Sequence, residues 1–132
     1  MSATTFKPRK HLHADALIAE LRSTFEGLPD PKPHTSETSL ADALMSGYAM
    51  FALKDPSLLA FETRRNDENM KHIYHIQHVP CDTHMRVLLD EVDPLSLAPA
   101  FHQLLAQVQR GKVLERYRFM DGRYLLLLDG VE

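Results

Sequence analysis

Asp129 is the residue best placed for chemistry. It closes the apolar run Tyr124, Leu125, Leu126, Leu127, Leu128 and is followed by Gly130. A carboxylate at the end of a buried strand, beside a glycine that lets a ligand approach, suits a divalent-metal site. A hard ion such as Mg²⁺ takes one or two carboxylates together with phosphate oxygens. The same Asp-Gly pair is also an ordinary turn signal, as Asp121-Gly122 is. A second set is His72, His75 and His78, with Cys81 three residues further on. Imidazole and thiolate suit Zn²⁺. A step of three drifts by about 60° around a helix of 3.6 residues per turn. Neighbours therefore share a metal only in pairs, and solvated helix-face histidines are the expectation. A third set is Thr83, His84 and Arg86, at the start of a short helical pattern, with Arg64, Arg65 and Lys71 upstream. Those side chains suit base edges and phosphates. There is no nucleophile–base pair, phosphate-cradling glycine loop or dinucleotide fingerprint.

The chain that carries these residues has 132 of them, the length of one small domain or one plus a fragment of another. Apolar residues make up 44%, enough to exclude a wholly disordered chain. Lys and Arg number 15 against 18 Asp and Glu, a net charge of −3 with His neutral. A strongly basic nucleic-acid footprint is thereby excluded for the whole chain, so DNA binding needs a local patch. The single Cys81 rules out an internal disulfide. No apolar run approaches the ~18–20 residues of a membrane span, and residues 1–10 contain no apolar signal-peptide core. A cytoplasmic protein is expected.

The periodicity predicts a helix over 11–28, with Leu17, Leu21, Phe25 and Leu28 on one face. Pro29, Pro31 and Pro33 then make a stiff linker, so this first helix reads as an arm rather than part of the core. Thr38 or Ser39 caps a second helix, with Asp42 in its first turn. That helix is apolar on nearly all sides and is the expected centre of the core. Gly47 within it suggests close approach by a neighbouring helix. Asp55 as N-cap and Pro56 at the first position start a third helix. Helical patterns around Met70, Ile73 and Tyr74 and around Met85, Leu88 and Leu89 (capped by Asp82 or Thr83) flank a turn and permit a helix-turn-helix reading. That turn is long and carries proline rather than glycine. A further amphipathic helix turns Leu97, Phe101, Leu104, Leu105 and Val108 inward, and Gly111 ends it. Asp121-Gly122 predicts a hairpin, and 124–128 a buried strand.

Three stretches carry a resemblance. Residues 40–61 (LADALMSGYAMFALKDPSLLAF), 79–86 (VPCDTHMR) with Leu89 and Asp90, and 122–130 (GRYLLLLDG) resemble, in order and spacing, the N-terminal region of bacterial insertion-sequence DDE transposases. The resemblance implies a DNA-transposing enzyme in which an RNase H-like catalytic domain follows a helical region. In that family two Asp and one Glu hold two Mg²⁺ ions, which activate the attacking oxygen and stabilise the leaving one. Asp129 matches the first of these carboxylates and would be both catalytic and a metal ligand. The second Asp and the Glu have no counterpart here, and Glu132 comes too early to serve. One carboxylate does not hold two metals, so no Mg²⁺ is expected to stay bound by this chain and no DNA cleavage is expected from it alone. The implied partner is DNA, specifically the terminal inverted repeats of a bacterial element, with a homodimer also open.

The expected fold is mainly α: a helical bundle with a helix-turn-helix, then a C-terminal hairpin or strand like the first of an RNase H-like domain. The expected organisation is 1–38 as N-terminal helix and linker, 39–112 as a helical DNA-binding domain, and 113–132 as the start of a catalytic domain. The alternative, from a different class, is a small helical interaction or dimerisation module without DNA binding, in which 40–53 and 97–108 form a core or dimer surface.

Overall fold

The computed structural model describes residues 11–30 and 38–128, which are mainly α-helical. The central element is α2 (Leu40–Ala52), launched by Ser39, whose hydroxyl accepts a hydrogen bond from the Asp42 N–H at 3.1 Å. A side-chain acceptor at this position satisfies one of the open donors of the first turn. Residues 40–46 of α2 are all buried, as a helix apolar on most sides requires.

On one side of α2 lies α1 (Ala14–Glu26), and on another α5 (Asp82–Asp90). The short helices α3 (Leu58–Glu62) and α4 (Glu68–Ile73) intervene in sequence, with α3 packing on α5. The last helix, α6 (Ala98–Arg110), packs on α1. A two-stranded antiparallel hairpin follows, β1 (Arg118–Phe119) and β2 (Arg123–Tyr124), with Arg118 opposite Tyr124 and Phe119 opposite Arg123. Met120, Asp121 and Gly122 all take positive φ in its turn, so the Asp-Gly signal is used there. None of the described helices is long and apolar enough to cross a membrane.

Several expectations are corrected. The first helix is not an arm. Leu21 and Phe25 are 1% and 3% exposed within the common core, because its apolar stripe meets α2 and α6. At α3 the cap is Ser57, which accepts from the Ala60 N–H at 3.1 Å. Asp55 instead binds the Arg64 guanidinium through both oxygens, at 2.9 and 3.1 Å. At α5 the cap position falls on Cys81, with no side-chain hydrogen bond, and Asp82 and Thr83 are already helical. On α6 only Ala100 is fully buried; Phe101 and Leu105 face outward at 46% and 48% exposure. The expected strand 124–128 stops at Tyr124, and Leu125 to Leu128 are exposed, with no strand paired to them among the described residues.

Two small residues in the helices have consequences for stability. Gly111 ends α6 in a right-handed conformation, φ −76°, so it is not there for the left-handed turn; Lys112 takes that at φ 59°. What Gly111 provides is room: a Cβ there would overlap Leu12 Cδ1 and sit 3.1 Å from its Cγ. Gly111→Ala is expected to cost about 1 kcal/mol, the low end of overpacking because a leucine side chain swings aside. In Leu12→Ala the same change should cost less, a non-additivity that urea melts of the four proteins measure. The second residue is Ser46, fully buried in α2 with its hydroxyl unpartnered among the described residues. Ser46→Ala removes an unpaired buried polar group and improves helix propensity, so a gain of about 1 kcal/mol is expected in the same assay.

Candidate nucleic-acid interface

Asp42 organises this region. Its side chain is buried at 2% exposure and accepts three hydrogen bonds, from Arg22 Nη1 at 2.5 Å, the Gln77 N–H at 3.0 Å and the His78 N–H at 3.1 Å. One carboxylate thus joins α1, α2 and the segment 74–81 that leads into α5. The Arg22 guanidinium also bonds Glu26 at 2.8 Å. Burial works to lower the Arg22 pKa, but the hydrogen bonds and charges of Glu26 and Asp42 outweigh it and raise the value. Below it the chain turns at His75, which adopts φ 54°. The Tyr48 and Tyr74 rings meet edge-on at 6.1 Å, and burial, reinforced by Tyr48, pushes the Tyr74 hydroxyl pKa up.

The tether sets how α5 is presented. Met85 and Leu88 point into the core, each at 1% exposure. Thr83 and Arg86 lie on the opposite, exposed face, and His84 is half-buried between them. Thr83 Oγ1 lies 3.3 Å from Asp82 Oδ1. Arg86 has no ion pair among the described residues and is the cation of this face. Arg64 and Arg65 follow α3, the helix packed on α5, but both are engaged. Arg64 is held by Asp55, whose hydrogen bond and charge raise its pKa, and Arg65 Nη1 lies 3.6 Å from Glu62. Lys71 belongs elsewhere. It pairs with Glu68 at 2.8 Å and lines a cleft with Arg22, Glu26 and His75 on the α1 side. The longer, half-exposed Arg65–Glu62 pair is worth only ~0–1 kcal/mol, so a phosphate competes readily for that cation, whereas Asp55 grips Arg64 at two points. The segment between α4 and α5 is eight residues long, and α5 packs on α2 and α3.

The metal candidates separate. His72, His75 and His78 are all exposed, and His75 Nε2 lies 3.5 Å from Asp15 Oδ1. Among the described residues no group of three His, Cys, Asp or Glu is placed to hold a metal ion. Asp129, the expected catalytic carboxylate and Mg²⁺ ligand, lies outside the described residues.

Sequence reasoning missed an apolar groove between α2, α5 and α6, of about 460 Å³. Gly47 lines it, flanked by Leu44, Phe51, Leu89, Leu97 and Phe101, and Tyr48 brings its one hydroxyl. The available signal was Gly47 followed four residues later by an aromatic. No family model, curated protein or solved structure matches the chain.

Proposed function

We propose that this chain is the helical, DNA-contacting region of an insertion-sequence DDE transposase, binding the terminal inverted repeats of its element through the outer face of α5. The observation that carries the reading is the ordered set of three motifs over 40–61, 79–90 and 122–130. Its second motif coincides with the element that presents Thr83 and Arg86 to solvent while Met85 and Leu88 anchor it. The first amides of α5 have no side-chain cap, which leaves donors for a phosphate, although Asp82 opposes an anion there. In this reading Arg86 meets phosphate or a base edge, Arg64 and Arg65 exchange carboxylate partners for phosphates, and Asp129 opens the catalytic domain.

Fluorescence anisotropy with a terminal-repeat duplex and a scrambled duplex of equal length tests it. The repeat should bind more tightly, and affinity should fall steeply with salt as counterions are released. Arg86→Ala should weaken repeat binding by about 1–3 kcal/mol if the residue reads a base. Equal affinity for both duplexes, indifferent to salt and to Arg86, contradicts the reading. In that event the interaction-module alternative stands, favoured by the open apolar groove.

A further inference from the structure

We propose that the groove between α2, α5 and α6 is covered by a second copy of this chain, in a two-fold contact in which Phe51 of each copy seats over Gly47 of the other. The inference rests on the groove and holds whether or not the chain binds DNA. Phe51 is 77% exposed and is the aromatic rim of the groove that Gly47 lines, one helical turn earlier on the same face of α2. A knob and a hole on one helix face, four residues apart, are what an isologous contact needs, since each surface must complement itself.

Internal packing does not require the glycine. A Cβ at Gly47 would lie 3.6 Å from Met85 Cε and 3.9 Å from Leu89 Cδ1, ordinary contact distances. Glycine in a helix interior costs roughly 1 kcal/mol relative to alanine. Here that cost leaves depth in the groove floor and serves nothing within the monomer.

Charge complements the shape. The start of α2 lies beside Val92 and Asp93, with Leu40 sharing a cleft with both, while its other end runs out at Phe51 and Lys54. An antiparallel pairing of the two α2 helices therefore brings the exposed Lys54 of each copy toward the acidic end, Glu91 and Asp93, of the other. Phe101, 46% exposed on α6, widens the apolar patch.

Sedimentation equilibrium of the full chain across the micromolar range, with circular dichroism as a folding check, tests the proposal. The expected result is a monomer–dimer equilibrium weakened at least about tenfold by Phe51→Ala, the loss of a central aromatic anchor. Phe51 is exposed in the monomer, so helicity should be unchanged. Gly47→Ala should act in opposite directions, raising the melting temperature of the dilute monomer while weakening the dimer. Added salt should weaken the dimer as well. A chain that stays monomeric throughout overturns the proposal. So does a dimer indifferent to Phe51→Ala and Gly47→Ala, or one abolished by Leu126→Asp instead, which would place the contact on the exposed C-terminal leucines.

Discussion

Asp42→Asn is expected to destabilise the fold by about 3–5 kcal/mol, the cost of breaking a buried ion pair by removing one partner. The side chain keeps its shape, yet every group pointing at it is a donor: the Arg22 guanidinium and the Gln77 and His78 amides. An amide places its own NH₂ against at least one of them and leaves the Arg22 charge, 12% exposed, with Glu26 alone. Against a typical total of 5–15 kcal/mol this loss is large. Urea denaturation followed by circular dichroism measures it. Hydrogen exchange should show Gln77 and His78 losing protection first. Glu26→Gln is the matched control: Glu26 is 57% exposed, so the change should cost under about 1 kcal/mol. A similar small cost for Asp42→Asn would mean that the three donors do not depend on this carboxylate. Because the tether orients α5, the DNA binding proposed above should also be lost in the variant before all helicity is.

Phe61→Ala should cost about 3–5 kcal/mol, the range for truncating a fully buried aromatic. Phe61 is 1% exposed and is among the largest wholly buried side chains. It is the one buried residue of α3, a helix of five residues, too short to persist without tertiary packing. Its loss removes the buried anchor of α3, the helix that packs on α5. Leu59 sits two residues earlier on the same helix but is 63% exposed. Leu59→Ala should therefore change stability by less than about 0.5 kcal/mol, as surface substitutions do. Equal costs for the two would show that α3 is not seated through Phe61.

The number and order of the helices follow from local signals, and the errors fall where non-local contacts decide. Ser39 and Asp67 cap α2 and α4 through hydrogen bonds three residues along, so their choice needs no knowledge of the rest of the chain. Asp55-Pro56 and Ser57 are both good starts for α3, and the arbiter is Arg64, whose two-point grip takes Asp55 away. Asp42 shows the same limit more strongly. Its position in a first turn is legible from the helix dipole, but its partners lie 20 residues back and 35 and 36 residues on. The periodicity of α6 marks an apolar stripe without saying how much of it a neighbour covers, and Phe101 and Leu105 remain outside. The four leucines after Tyr124 imply burial only where other strands exist to cover them, and the described residues supply a single hairpin. Gly111 was legible as a helix end but not as a gap for Leu12, a residue 99 positions earlier in the sequence. For the candidate interface, residue type alone put Lys71 with Arg64, Arg65 and Arg86; packing turns it toward α1.

The most direct test of the proposed DNA recognition through α5 is an amide chemical-shift titration of the labelled chain with a duplex taken from the terminal repeats of the element that the proposal implies. Binding through α5 predicts perturbations concentrated at Thr83, His84 and Arg86 and spreading to Arg64 and Arg65, with Lys71 and the groove around Gly47 little changed. Perturbations centred on the groove or the α1 side, or none at saturating duplex and low salt, would contradict it.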